Sequence, residues 1–368
     1  SAEAPDWRRL RLWHIQPVRD ILVLGIVFGI LYLGYILSPI TDAAIFLTVC
    51  IDPGGEDSAR ELLADVPGLK RSVGFRIPEG GLACVVGIGS DLWDRMIGSP
   101  KPAGLHPFRE LNGDTHTAPS TPGDLFFHIR ASRMDMCFEL ARLLTDRLDG
   151  CGRVLDEVHG FKSFDERDLL GFVDGTENPE PYEAPEAALI GDEDPQFEGG
   201  SYLIVQKYLH DLDAWNGLSV EDQEKVIGRS KMDDVEFADE DKPSNSHLVL
   251  NVIEDEDGEE LAIMRFNMPF GRVSESEFGT YFIGYCGDVN VTETMLRRMF
   301  IGVPPGNHDH ILDFSTAVTG SNFFVPSADF LDGIEDVGAG AAEDGPAAPA
   351  PGGTPDPAGG SLGIGDAR

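Results

Sequence analysis

The sequence predicts an α+β protein made of two halves with a similar order of elements. Strand and helix signals alternate in the first half, and the same alternation returns after a turn-rich stretch near the middle of the chain. A repeated order of this kind is typical of duplicated units whose sheets pack together. The chain has 368 residues, of which 42% are hydrophobic, so it can bury a substantial core.

The first half carries strand signals and helix signals in alternation. Runs rich in β-branched and aromatic residues predict the strands, whereas apolar residues at helical spacing predict the helices. The predicted strands are Ala43–Ile51, Gly81–Ser90 and Leu125–Arg130, and the predicted helices lie at Ser58–Leu63 and Met134–Leu148.

The second half repeats this pattern with longer interruptions. The predicted strands are Ser201–Tyr208, Leu248–Ile253, Leu261–Phe266 and Gly279–Tyr285, and the predicted helices are Val220–Ile227 and Thr292–Phe300. The acidic stretches Asp233–Asp241 and Glu254–Glu260 interrupt this half, and we interpret them as solvated edges.

Charge and cysteine content exclude several classes of function. There are 64 acidic residues against 28 basic ones, which gives a net charge of -36. A surface of this sign repels phosphate backbones, so we expect no binding to nucleic acid. The five cysteines form no C-x-x-C pair, which argues against a disulfide framework or a zinc site and favours reduced thiols in an intracellular protein.

The N-terminal extension, residues 1–37, contains an apolar segment with two interpretations. Ile21–Leu37 has no charged residue and follows four arginines in the first nineteen positions. As a helix it would be about 26 Å long, close to the roughly 30 Å of a bilayer core. The segment therefore predicts either a membrane span, with the bulk of the chain anchored or exported, or an extension that does not belong to the folded domain.

The C-terminal residues change abruptly in composition. Between Gly338 and Gly360, nineteen of 23 residues are Gly, Ala or Pro, so residues 337–360 are predicted to be a disordered linker. The linker ends in the short apolar sequence Ser361-Leu362-Gly363-Ile364-Gly365. An apolar tip on a long tether predicts a docking peptide, and the alternative is a frayed end with two stray aliphatic residues.

The central loop, Gly171–Pro179, places a carboxylate among glycines and apolar side chains. Asp174 lies between Val173 and Gly175, and apolar residues precede it. A partly desolvated carboxylate has a raised pKa and suits proton transfer. The alternative is an aspartate that only bonds to the backbone of its own turn.

Further polar residues in the second half combine with Asp174 into one set. His247 lies at an element boundary, and Arg265 and Asn267 are two apart on a predicted strand, so they are expected to share a face. The set is completed by two candidate orienting carboxylates, Asp309 and Asp313, and by Arg229, which is a candidate anion ligand or helix cap. A carboxylate, an arginine, an amide and a histidine with a carboxylate partner are the parts of a haem peroxidase pocket.

These motifs resemble dye-decolourising peroxidases. Gly171-Phe172-Val173-Asp174-Gly175 matches the GxxDG signature of that family, and His247, the segment Met264–Gly271 and the run Asp313–Gly320 follow in the family's order. The resemblance covers about residues 38–333. It implies a dimeric α+β barrel of two ferredoxin-like halves, residues 38–150 and 151–336, with one non-covalent haem b in the second half.

The resemblance also implies a role for each residue of the set. His247 would be the axial ligand of the haem iron, with Asp309, rather than the less favoured Asp313, accepting its other ring proton. Asp174 and Arg265 would act on hydrogen peroxide, and Asn267 would help to hold it. Arg229 and Glu177 resemble positions beside the haem propionates. The expected reductants are bulky aromatic dyes, phenols or Mn(II).

The tail, residues 361–368, is similar to the targeting peptide that loads such peroxidases into encapsulin nanocompartments. Asp366-Ala367-Arg368 replaces the usual second apolar pair after Gly365, which predicts weaker docking. This reading places a homo-oligomeric enzyme in the cytoplasm, inside an encapsulin shell, and it conflicts with a membrane anchor at Ile21–Leu37. The alternative functions are release of iron from haem and simple haem binding or carriage.

Overall fold

The computed structural model describes residues 36–37, 40–255 and 257–335. Most of the apolar segment Ile21–Leu37, the linker 337–360 and the tail Ser361–Gly365 therefore lie outside the described residues. Within those ranges, no helix is both long enough and apolar enough to cross a membrane.

The first half of the chain forms a four-stranded antiparallel sheet covered by helices. Its strands and helices are β1 (Ala43–Ile51), α1 (Glu56–Gly74), β2 (Ala83–Gly89), α2 (Ser90–Met96), β3 (Leu111–Asn112), β4 (Thr117–Ala118), β5 (Leu125–Ala131), α3 (Met134–Arg147) and β6 (Gly152–Phe161), with a 3-10 turn at Pro78–Gly80. The main strands lie in the order β2-β5-β1-β6, while β3 and β4 form a separate hairpin. The first strand of the unit therefore lies between the third and the fourth, as in a ferredoxin-like βαββαβ unit.

The second half repeats this order with more irregular connections. Its elements are α4 (Ala184–Ala188), β7 (Ser201–His210), α5 (Leu212–Asn216), α6 (Val220–Ile227), α7 (His247–Asn251), β8 (Ile253–Glu254), β9 (Glu260–Leu261), β10 (Met264–Arg265), β11 (Met268–Arg272), β12 (Glu277–Cys286), α8 (Val289–Ile301), β13 (Ser315–Ala317), β14 (Ser321–Val325) and α9 (Ala328–Asp332), with 3-10 turns at Val273–Glu275 and His310–Asp313. The strand order β10-β12-β7-β14 matches that of the first half, and β14 pairs with β2 to join the two sheets. The predicted mixed α+β architecture of two like halves is confirmed, while closure into a barrel and pairing of two copies stay predictions.

The central strands β1, β2, β5, β7 and β14 are buried on both faces, which explains their nearly continuous apolar runs. Along β1, Ile45 and Leu47 pack beneath the helices of the first half, whereas Ala44 and Phe46 belong to a second apolar cluster. That cluster also contains Tyr281 of β12, whose ring stacks on the Phe46 ring at 4.2 Å. The sheets of the two halves thus meet through their inner faces, as the repeated pattern predicts.

Several predicted elements differ from the structure in extent. The helix predicted at Ser58–Leu63 is the longer α1, and the sequence analysis missed β6, β11 and β14. Strand β6 pairs with β1 along its length, so the first sheet includes residues 152–161, which were assigned to the second half.

The predicted strand Leu248–Ile253 is wrong. Residues His247–Asn251 form the short helix α7, and only Ile253–Glu254 are extended. Leu248 and Leu250 are buried and Val249 is exposed, which fits strand alternation as well as a helix turn. The backbone N–H of Leu250 bonds to the carbonyl of Ser246 at 3.2 Å, so the local hydrogen bonding is helical.

The predicted strand Leu261–Phe266 is also wrong as a continuous element. It divides into β9 and β10, and Asn267 lies in the short connection between β10 and β11. Arg265 and Asn267 therefore do not share a strand face by simple alternation. Their common environment comes from the turn between these strands.

Phe46 offers a test of the packing between the two sheets. Its ring lies between those of His128, at 5.1 Å, and Tyr281. We expect Phe46→Ala to lower the free energy of unfolding by about 3–5 kcal/mol, because it leaves a cavity between rigid sheets. Phe75→Ala is the matched control, since that ring is 71% exposed. Urea unfolding of both variants measures the difference, and equal stabilities would contradict the packing argument.

Candidate active site

A partly enclosed cavity lies in the second half of the chain. The central loop, β7, β12 and the helices α7 and α8 contribute its walls. Its apolar lining includes Leu170, Phe172, Val173, Ile227, Ile263, Phe282, Met295, Leu296, Met299 and Ile311.

His247, the first residue of α7, lines this cavity and is held from behind by a buried carboxylate. Its Nδ1 lies 2.7 Å from Oδ2 of Asp309, a residue with no exposed surface. The other oxygen of Asp309 accepts a hydrogen bond from the backbone N–H of Ile311 at 3.0 Å. A carboxylate at Nδ1 fixes the imidazole tautomer and leaves Nε2 for a ligand in the cavity.

The charge of Asp309 also sets the proton affinity of His247. Burial opposes the charged imidazolium, but the adjacent carboxylate outweighs this effect through its charge and its hydrogen bond, so the pKa of His247 is raised. An imidazole with increased basicity is a stronger electron donor to a metal.

Asn251 is a functional neighbour that the sequence analysis missed. It lies one helical turn after His247, and its Nδ2 donates to the His247 carbonyl at 2.7 Å and lies 3.4 Å from Asp309 Oδ2. The spacing of four residues would have revealed it, had the segment been assigned as a helix rather than a strand.

Asp174 reaches the same cavity from the central loop. Gly171 and Gly175 have positive φ angles of 93° and 84°, which let the chain fold tightly around the carboxylate. The loop is held against a small apolar cluster that includes Phe172 and Trp215, and Trp215 Nε1 donates to the Leu170 carbonyl at 2.9 Å. The predicted combination of glycine turns and an apolar wall is therefore present.

Two opposing effects determine the pKa of Asp174. Burial raises it, while the charge of Arg265 and a hydrogen bond from Asn267 lower it, and the net direction is upward. The carboxylate thus has a higher proton affinity than a solvated aspartate, which is the property required of a proton shuttle near neutral pH.

Asn267 has only one orientation that satisfies its neighbours. Its Oδ1 accepts a hydrogen bond from the Ile283 N–H at 3.1 Å, so its Nδ2 points to Asp174 Oδ1, also at 3.1 Å. A backbone donor on β12 therefore fixes which end of the amide faces the carboxylate.

Arg265 is fixed by the same central loop that carries Asp174. Asn178 donates to the Arg265 carbonyl at 2.9 Å and accepts from its N–H at 2.8 Å, so it pairs with that backbone as a strand would. The guanidinium donates to the Glu177 carbonyl at 2.8 Å. Burial lowers the pKa of Arg265, and this effect outweighs the negative charges of Asp174, Glu177 and Glu260, which raise it.

Asp168 is a second cavity carboxylate that the sequence analysis did not single out. Its Oδ1 accepts a hydrogen bond from the Phe172 N–H at 2.9 Å, which closes the loop ahead of Asp174. Burial and then the charge of Asp174 raise the pKa of Asp168 to about 7. Its position beside Leu169 and Leu170 was the only signal in the sequence.

Arg229 and Glu177 line an adjoining, more polar cavity that shares His247, Asp174, Arg265 and Asn267. Arg229 Nη1 lies 2.7 Å from Glu177 Oε1. Its Nε lies 2.9 Å from Asp234 Oδ1, where the two groups form an ion pair without hydrogen-bond geometry. Asp234 was interpreted as part of a solvated edge, yet it forms one side of this ion-pair group.

Asp313, the less favoured partner for His247, points elsewhere. Its carboxylate faces His116 and His308, at 2.8 and 3.2 Å. Of the two candidates, the structure therefore places only Asp309 in contact with His247.

The residues present fit a non-covalent haem. An imidazole oriented by a buried carboxylate provides an axial ligand, the apolar lining suits a flat macrocycle, and the polar cavity with Arg229 suits acidic substituents. Asp174, Arg265 and Asn267 lie in the same space, so acid–base groups would be close to whatever His247 binds.

Comparison with known proteins gives consistent relationships. Residues 34–162 match the profile of the Dyp-type peroxidase N-terminal domain, and residues 165–330 match that of the C-terminal domain. The chain is 64% identical over 297 residues to a dye-decolorizing peroxidase of Rhodococcus erythropolis, covering 81% of this chain and 87% of that protein.

Several solved structures share the fold. DypB of Rhodococcus jostii RHA1 is 56% identical with a TM-score of 0.80, and the match covers 82% of this chain and 97% of that one. Variants of DypB have been solved in complex with heme, and one in complex with manganese. An encapsulated DyP-type peroxidase of Mycobacterium smegmatis is 59% identical with a TM-score of 0.79, and covers 81% and 96% of the two chains.

Because both family domains match in order over most of the chain, and relatives of high identity carry the same activity, the chain belongs to the Dyp-type peroxidases and is a haem b enzyme.

Proposed function

We propose that this enzyme reduces hydrogen peroxide in the cavity between His247 and the central loop, with Asp174 as the proton carrier. The observation that carries the proposal is the presence, in one cavity, of an imidazole held by a buried carboxylate and of a desolvated aspartate beside an arginine. Haem carriage alone would need the imidazole but neither Asp174 nor Arg265. The pair therefore favours catalysis over haem storage or iron release.

Each residue of the set has a proposed place around the cofactor. His247 would ligate the haem iron through Nε2, Asp309 would hold the ring in position, and Arg229 with Glu177 would lie beside the propionates. When bound, haem b supplies an iron centre at which peroxide binds and from which two electrons are drawn. These proposed positions agree with the apolar lining of the first cavity and with the polar lining of the adjoining cavity that contains Arg229.

The proposed work of Asp174 is to move one proton within hydrogen peroxide. The ionised carboxylate accepts the proton from one oxygen and returns it to the other, so the O–O bond breaks with loss of water. Arg265 stabilises the negative charge that develops on the departing oxygen. The Asn267 amide, whose Nδ2 lies 3.1 Å from Asp174, would keep the carboxylate or the peroxide in place.

The reductant is proposed to be a bulky aromatic dye or phenol, or Mn(II). Large donors would not fit in this cavity beside a cofactor that fills it, so they would be oxidised at the protein surface. The net charge of -36 favours a cation such as Mn(II), and the manganese complex of a DypB variant supports this choice.

The enzyme is further proposed to be cargo of an encapsulin shell in the cytoplasm, docked through Ser361–Gly365. The encapsulated peroxidase of M. smegmatis supports this assignment, as does the Gly/Ala/Pro composition of the linker. Assembly into a homo-oligomer belongs to the same proposal. A membrane anchor at Ile21–Leu37 is the competing hypothesis for location.

His247→Ala should purify without stoichiometric haem, because the side chain that ligates the iron is lost. The ratio of haem absorbance to protein absorbance measures this directly. His159→Ala is the control, since His159 is a half-exposed residue on β6 that pairs with Glu157. Full haem occupancy in the His247 variant would refute the ligand assignment.

Asp174→Asn should lower the rate of reaction with hydrogen peroxide by about 10²–10⁴-fold, since the amide cannot accept the proton. In the wild type the rate should fall as the pH drops through the raised pKa of Asp174, because only the ionised form is a base. Stopped-flow absorbance of the haem band over a range of pH measures both effects.

The stability of Asp174→Asn toward urea shows whether a loss of rate comes from a loss of folding. The pKa of Asp174 in the folded protein is raised above its ordinary value of 3.8. Between these two pKa values the folded protein binds more protons than the unfolded chain, so the contribution of Asp174 to stability falls as pH rises. Asp174→Asn should therefore unfold at no lower urea concentration than the wild type at pH 7. Asp165→Asn, an exposed position that precedes the central loop, should leave the rate unchanged. A wild-type rate in the Asp174 variant would exclude the shuttle role.

Deletion of residues 360–368 should abolish co-purification with a co-expressed encapsulin shell, because the docking peptide is removed while the folded domain is untouched. The peroxidase activity of the free enzyme is expected to be unchanged. Undiminished loading would count against docking through the tail.

A further inference from the structure

A cluster of three histidines and one aspartate lies outside the haem cavity. His116 Nε2 and His308 Nε2 approach the same oxygen of Asp313, at 2.8 and 3.2 Å, and His310 Nε2 lies 3.6 Å from the other oxygen. Three candidate ligand atoms, one each from His116, His308 and Asp313, lie within 4.8 Å of one another. Imidazole and carboxylate groups at this spacing are the ligands that divalent transition metals prefer.

The spacing agrees with a single shared ion. Four ligands at 2.0–2.1 Å around a tetrahedral zinc are separated from one another by about 3.3 Å. The distances of 2.8 and 3.2 Å to Asp313 differ from this value by half an ångström or less. The third pair, His116 and His308, lies within 4.8 Å, so rotation of these partly exposed side chains would bring the three atoms to coordination distance.

The backbone holds the ligands in place from both halves of the chain. His116 lies in the turn between β3 and β4, where its carbonyl accepts from Gly113 N–H at 2.9 Å. A Cβ at Gly113 would be 2.0 Å from the Phe300 carbonyl, so this hairpin is packed closely against the end of α8. His310 N–H donates to the Asn245 carbonyl at 3.0 Å, which fixes the other segment.

The environment of the cluster favours a cation. His116 and His308 are about one-fifth exposed, so the site is partly shielded yet open to solvent. Asp313 accepts hydrogen bonds from His116 and His308, so its carboxylate already faces both imidazoles. The absence of a cysteine pair, which argued against zinc in the sequence, does not bear on an imidazole site.

We propose that His116, His308 and Asp313 bind one divalent transition-metal ion of the zinc type, with His310 within reach as a fourth ligand. The ion would connect the β3–β4 hairpin of the first half to the segment 308–313 of the second half. That segment also carries Asp309, so a bound metal would restrain the carboxylate that contacts His247. The site is separate from the haem cavity, since none of its four residues lines either cavity.

The test is zinc binding by the tag-free, haem-loaded protein, measured by isothermal titration calorimetry in excess Mg²⁺. Magnesium occupies non-specific carboxylate sites, so the wild type should bind one Zn²⁺ per chain. His116→Ala and His308→Ala should each weaken binding at least about tenfold, since even groups that only orient a metal ligand cost 10–100-fold when changed. His106→Ala is the matched control, because His106 is 22% exposed, against 20% for His116, and pairs with Glu293 outside the cluster.

Zinc-edge X-ray absorption on the same haem-loaded protein identifies the ligands, because the iron does not contribute at that edge. At least two imidazole ligands are expected, and fewer in each cluster variant. Haem content and thermal unfolding without zinc check that the variants fold. Undetectable binding, binding of equal strength in the cluster variants, or a ligand shell of oxygen alone would overturn the proposal.

Discussion

The contact on which the site depends is the hydrogen bond between His247 and Asp309. Asp309 has no exposed surface, and a buried carboxylate is stable only when its oxygens are paired. Oδ2 is paired with the imidazole and Oδ1 with the Ile311 N–H, while the Asp309 N–H donates to the Met299 carbonyl at 2.9 Å. The end of helix α8 therefore determines where the carboxylate lies, and the carboxylate determines where the imidazole points.

The residues that face hydrogen peroxide in the proposed reaction are positioned by the sheet rather than by the loop alone. Asn267 is oriented by the backbone of β12, and Arg265 lies at the end of β10 with its backbone paired to Asn178. Because these contacts involve main-chain groups, the orientation of both side chains follows from strand register. Asp174 is held against this rigid frame by loop glycines and an apolar cluster, which explains why it is desolvated without losing its partners.

The sequence predicted the repeated order of elements because long apolar runs and helical stripes are properties of local composition. It failed at His247–Asn251, where alternation of Leu248, Val249 and Leu250 suits a strand and a helix equally, and only the hydrogen bonds of the fold decide. The members of the site were predicted through their likeness to a family, since no local pattern reveals that residues 247 and 309 meet. Asp168 was missed because its role depends on contacts that form only after folding, and Asn251 was missed because its segment was assigned as a strand.

The two aspartates of the central loop have to be considered as a pair. Burial and then the charge of Asp174 raise the pKa of Asp168 to about 7, so the two carboxylates do not titrate independently. Ionisation of one carboxylate disfavours ionisation of the other, while the charge of Arg265 favours the ionised form of Asp174. When Asp168 loses its proton at higher pH, its negative charge lies close to that of Asp174. This second charge raises the proton affinity of Asp174. A pH profile of peroxide reduction therefore reports the two carboxylates as a pair and not Asp174 alone.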